Sequence, residues 1–172
     1  NSPRIFKLME DMVSRGHKVY WVALSSPKYF IKGVSIYTDI VDVNNSFFKK
    51  FSAITFKYLI FQRLLKQIDP DILHAINVRR AGWFAAFSNF SPTFLSPQGG
   101  DVLVNDRDYN HLQVFKKWLK KSFIDKFLRS YTLNNVNVVT YGNENMLNGI
   151  KLWAKPKNTL HYFQGINFEK IN

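Results

Sequence analysis

The stretch that decides the fold is Asp69 to Leu103, DPDILHAINVRRAGWFAAFSNFSPTFLSPQGGDVL. Pro70 blocks helix continuation, and the short apolar run Ile72 to Ile76 behind it reads as a strand buried on both faces. Arg79 to Phe87 then carries Trp83, Phe84 and Phe87 at helical spacing, with Ser91-Pro92 as a stop, and Thr93 to Ser96 is a second short β-rich run. Pro97-Gln98-Gly99-Gly100-Asp101 closes the unit. Two adjacent glycines after a buried strand permit positive φ and close ligand approach, and Asp101 can cap a turn or accept a sugar hydroxyl. A tight turn with an Asp cap explains the same residues, and no glycine-rich nucleotide fingerprint is matched.

Outward from this unit the pattern repeats. Pro3 to Arg15 places Ile5, Phe6, Leu8, Met9, Met12 and Val13 at helical spacing, with Ser2 as cap and Gly16 as stop. Val19 to Leu24 reads as a central parallel strand and Val34 to Val41 as a further one. Asn45 to Gln67 and His111 to Leu133 are long helical candidates, both apolar and basic. Val136 to Tyr141, a helix to about Trp153 and Asn158 to Phe163 complete the alternation. Such alternation predicts an α/β fold, a doubly wound parallel sheet with helices on both faces. The 172 residues are expected to form a single domain.

Composition narrows the function without choosing it. A net charge of +12 attracts phosphates, whether of nucleic acid, anionic lipid or an anionic sugar donor. No RNP, KH or zinc-finger pattern accompanies the charge, which argues against nucleic acid. The chain has no cysteine, hence no disulfide and no thiolate metal site, which is compatible with a reducing cytoplasm. No apolar run approaches the length of a spanning helix. The two basic helices fit either an anionic membrane surface or a sheet-covering role with a solvated basic face. His17, in a turn before a strand, is read as structural.

Five segments, RIFKLMEDMVSRGHKVYWVAL, DPDILHAINVRRAGWFAAF, FLSPQGGDVL, VNVVTYGNENM and HYFQGINFEKI, follow one another in an order that resembles the amino-terminal domain of GT-B glycosyltransferases. The closest likeness is to the large retaining family that uses nucleotide sugars to build cell-envelope polysaccharides and glycolipids. Arg15-Gly16-His17 resembles that family's turn into its second strand, and Gln98-Gly99-Gly100-Asp101 its "tryptophan or histidine, glycine, any, aspartate" loop. Gln164-Gly165-Ile166-Asn167 resembles its "asparagine, glycine, valine, aspartate" signal.

The resemblance implies a Rossmann-like, acceptor-side half of a two-domain enzyme. The family's first strand would precede Ser2, leaving a slot between the Val19 and Ile72 strands, and a donor-binding carboxyl-terminal domain would follow Asn172. Alone, this chain is expected to bind nucleotide sugar weakly and to transfer nothing. By carry-over, His74 and Asp101 are the candidate catalytic residues, and Asn77, Gln98, Gly99, Gly100, Gly165 and Asn167 the candidate substrate contacts. His74 is equally readable as a core histidine, and Glu144 as a helix cap. Ile76 stands where many relatives have a second histidine. The implied partners are a nucleotide-sugar donor, used as substrate with no metal or other cofactor, and a glycan or glycolipid acceptor. The implied place is the cytoplasm, peripheral on the inner face of the membrane. A GT-B sugar epimerase and a basic module for nucleic acid or anionic polymer are the alternatives.

Overall fold

The computed structural model describes residues 3–23, 30–38, 47–102 and 123–162. The chain forms an α/β Rossmann-like fold of parallel sheets with helices on both sides. It divides into two compact units, residues 1–67 and 68–172.

In the first unit, α1 (Pro3–Ser14) ends at Gly16, whose φ of +85° is the left-handed conformation a helix stop requires. β1 (Val19–Val22) pairs in parallel with β2 (Val34–Tyr37), from Val19 opposite Val34 to Val22 opposite Tyr37. Phe6 of α1 meets Trp21 of β1 edge to face, with ring centroids 5.6 Å apart. α2 (Phe47–Ile68) buries Phe61, Leu64 and Leu65. Its opposite stripe leaves Phe56 and Leu59 each 53% exposed, with Arg63 and Lys66 following on the same face at spacings of three and four.

The second unit carries β3 (Leu73–Ile76), α3 (Ala81–Phe87), β4 (Thr93–Ser96), the short turn of helix α4 (Gly99–Val102), α5 (Phe123–Asn135), β5 (Val138–Tyr141), α6 (Glu144–Trp153) and β6 (Thr159–His161). The strands are all parallel and stand in the order β3-β4-β5-β6. One sheet face contributes Ala75, Leu95 and Val139 to a core completed by Ala85 and Ala86 of α3, Leu133 of α5, and Met146 and Ile150 of α6. Asn143 caps α6 by accepting from the Met146 N–H at 2.9 Å. Glu144 is the first residue of that helix, where its charge suits the amino-terminal dipole.

One expectation changes. β3 is not buried on both faces: it ends the ladder, and Ile72 beside it is 57% exposed. β6, at the other end, has all three residues exposed. Among the described residues the strands lie in two ladders, β1-β2 and β3-β4-β5-β6. Apolar, β-branched runs mark strands reliably, but they do not distinguish a central strand from an edge one. The His111 to Ser122 part of the basic helix, and Gly165 and Asn167, lie outside the described residues.

Candidate functional site

The carboxyl ends of β3 and β4 lie side by side, because Ile76 pairs with Ser96 and the Asn77 N–H continues the ladder to the Ser96 carbonyl at 3.0 Å. Beyond this point both strands turn. Asn77 leaves β3 with φ +87°, a left-handed conformation that asparagine tolerates better than most side chains. The turn folds back so tightly that a Cβ on Gly82 would lie 2.7 Å from the Asn77 carbonyl oxygen. Gly82 is therefore a glycine for space, which spacing alone does not reveal.

Asp101 joins the two turns. Its Oδ2 accepts the Val78 N–H at 3.2 Å and the Gln98 N–H at 3.0 Å, one donor from each loop. Its carbonyl accepts from Arg129 Nη1. Arg129 is 2% exposed, pairs through Nε with Asp125 at 2.9 Å, and lies over the Trp153 ring at 5.2 Å. Asp125 also meets Arg79 of the β3 loop at 3.7 Å. Trp153 in turn donates to the Val102 carbonyl at 3.3 Å. A buried charge needs such complete pairing. Arg129 was missed in the sequence because its helix reads as a basic surface helix; Asp125 four residues before it is the signal that could have singled it out.

Gly99 and Gly100 do not take the positive φ that a glycine pair permits. They open the helical turn α4, and the hydrogen bond from Asp101 N–H to the Gln98 carbonyl at 2.8 Å explains why. Among the described residues nothing lies within 4 Å of a Cβ built on Gly100, which leaves room beside it. Gln98 is exposed beside it. Among the described residues Asn77 Oδ1 is buried with no hydrogen-bond partner, a polar atom whose accepting capacity is unused.

His74 is not at the turn. It sits within β3, and its Nε2 lies 2.8 Å from Ser96 Oγ. The ring is open to solvent at the sheet edge, yet enough chain surrounds it that burial lowers its pKa from the ordinary 6.5. The imidazole is accordingly neutral at pH 7. Ser96 and Thr140, the latter 8% exposed, extend this contact across two more strands. Neither was singled out in the sequence, although both alternate with core residues on their strands.

In the first unit a separate cleft of about 350 Å³ opens between β2 and α2, lined by Tyr37, Thr38, Ile60, Arg63 and Gln67 among others. Tyr37 and Thr38 mark the carboxyl end of β2, the end at which open α/β sheets collect ligands. Among the described residues no helix is long and apolar enough to cross a membrane.

The family described as glycosyl transferase 4-like matches residues 4–141, which takes in β1 to β5 and both loops tied by Asp101. No curated protein matches the chain significantly. A match over most of the sequence, together with the parallel α/β architecture it requires, means that this chain belongs to the glycosyl transferase 4-like family.

Proposed function

We propose that the chain is the acceptor-side domain of an enzyme that moves a sugar from a nucleotide-sugar donor to a glycan or glycolipid hydroxyl, with retention of anomeric configuration. The observation that carries this reading is the Asp101 carboxylate bridging the loops after β3 and β4, at the sheet end where ligands of this architecture bind. Asp101 holds both loops to one geometry. Asn77 Oδ1 accepts a sugar hydroxyl, Gly99 and the open space at Gly100 admit the acceptor, and Gln98 contacts its rim. His74 contacts the acceptor from the edge strand. Gly165 and Asn167 would complete the site at the passage toward a carboxyl-terminal domain of the same protein.

That second domain would supply most donor contacts, with cationic groups and helix amino termini stabilising the departing diphosphate. The acceptor is read as an envelope glycan or a lipid-linked sugar, handled on the cytoplasmic side of the membrane. α2 supports a membrane partner: it has five basic and no acidic residues, and its exposed stripe combines Phe56 and Leu59 with Arg63 and Lys66.

The deciding experiment incubates the full-length protein with a panel of uridine and guanosine diphosphate sugars and lipid or polysaccharide acceptors. Transfer is followed by label incorporation, and the new linkage is assigned by NMR. Transfer with retention, lowered in Asn77→Ala and Asp101→Ala, is expected. An inverted linkage, or epimerised nucleotide sugar without transfer, would overturn the reading.

A further inference from the structure

Three polar side chains from neighbouring strands form a continuous line on the sheet face opposite the core of the second unit. His74 Nε2 lies 2.8 Å from Ser96 Oγ, and Ser96 Oγ lies 2.7 Å from Thr140 Oγ1. Thr140 Oγ1 in turn donates to the Leu95 carbonyl at 3.4 Å. Each of the three residues alternates along its strand with a core residue, Ala75, Leu95 or Val139, which places them together on the other face.

The protons in this line have one arrangement that makes every bond. A carbonyl oxygen only accepts, so the single Thr140 proton goes to Leu95. Thr140 must then accept from Ser96, and Ser96, its own proton spent, must accept from His74. The donor on His74 is therefore Nε2–H. Running the line in reverse keeps the 2.7 Å bond between Thr140 and Ser96 but abandons the 3.4 Å contact to the Leu95 carbonyl, and so makes two bonds instead of three.

We infer that Ser96 and Thr140 lock His74 as its Nε2–H tautomer, so that Nδ1 offers a lone pair to a hydroxyl of the bound acceptor sugar. The inference rests on the acceptor-side reading above. An accepting nitrogen selects a hydroxyl, which can donate, over an ionised phosphate or carboxylate, which cannot. Ser96 and Thr140 are positioning residues; His74 alone touches the ligand. The depressed pKa of His74 keeps the lone pair available at neutral pH, and protonation in acid converts Nδ1 into a donor.

Long-range proton–nitrogen correlation spectra of the imidazoles test this on the chain itself, without donor or turnover. The expected spectrum has His74 protonated on Nε2. In Thr140→Val, of matching shape, the Ser96 hydroxyl loses its acceptor and turns to Nε2, so His74 switches to the Nδ1–H form. A panel of uncharged methyl glycosides should shift the Nδ1 resonance of the wild type and leave that of Thr140→Val in place. An Nδ1–H wild type, a Thr140→Val spectrum with unchanged tautomer, or no wild-type response to any glycoside overturns the inference. Because the spectra need no transfer, a failed transferase assay beside a positive glycoside response would remove the transferase reading and leave the tautomer lock standing.

Discussion

Arg129 donates to the backbone carbonyl of Asp101 from a position only 2% exposed, and so fixes the residue that fixes both loops. The guanidinium is shared between that carbonyl and Asp125, with the Trp153 face covering it. Removing one partner of a buried pair strands the other. Arg129→Ala should cost about 3 kcal/mol or more in urea denaturation. It should also loosen α4, visible as faster amide exchange at Val78 and Gln98. A variant with wild-type stability would mean the pair is dispensable.

Gly82→Ala should cost about 1–3 kcal/mol, toward the upper end, because the added methyl meets backbone as well as side chains. Its Cβ would stand 2.7 Å from the Asn77 carbonyl oxygen, 3.0 Å from Thr132 Cγ2 and 3.3 Å from Leu95 Cδ1. The backbone oxygen belongs to the candidate site, so the variant should weaken acceptor binding even where it remains folded. Thermal unfolding together with a glycoside titration separates the two effects.

His74 carries a stability term with a definite sign. Its folded pKa lies below the ordinary 6.5, so the unfolded chain takes up a proton at a pH where the folded chain does not. The contribution is complete above about pH 6.5, falls as the pH drops below it, and levels off beneath the folded value. Unfolding free energies compared between wild type and His74→Gln across that range should show the extra slope in the wild type only. Parallel curves would place His74 in an unperturbed environment.

The α2 stripe should bind anionic vesicles reversibly and in a salt-sensitive manner. Basic residues near headgroups contribute about 1 kcal/mol each, and the exposed Phe56 and Leu59 add an apolar anchor. Co-sedimentation should fall when Arg63 and Lys66 are changed to Glu, and also when Phe56 and Leu59 are changed to Ser. Equal binding to neutral and anionic vesicles would leave α2 as a helix with a solvated basic face.

Much of the fold was legible because short β-rich runs bounded by proline and glycine have few alternatives. Thr93 to Ser96 is a strand over those same residues, and Leu73–Ile76 differs from its expected range by one. What pattern could not supply was the environment of each strand: the exposed edge at Ile72 follows from ladder order, which depends on pairing between distant segments. At the site, Asp101 was visible as a turn aspartate, but its two backbone donors arrive from loops 23 residues and 3 residues away. Gly99 and Gly100 looked like positive-φ positions and proved helical, since a glycine pair permits both. The polar line from His74 to Thr140 was invisible because its members are separated by dozens of residues and meet only through the register of β3, β4 and β5.

In the second unit the order of strands across the sheet is also their order along the chain, β3 through β6. Every crossover therefore lands beside the strand just laid down, and no strand must be inserted between two already paired. Such a sheet can grow outward by one βα step at a time. On a ribosome, β3, β4 and their intervening helix can pair before β5 has been made, whereas β6, added last and exposed along its length, gains least from its neighbours. On that order the first two strands able to pair are also the two whose ends carry the candidate ligand site.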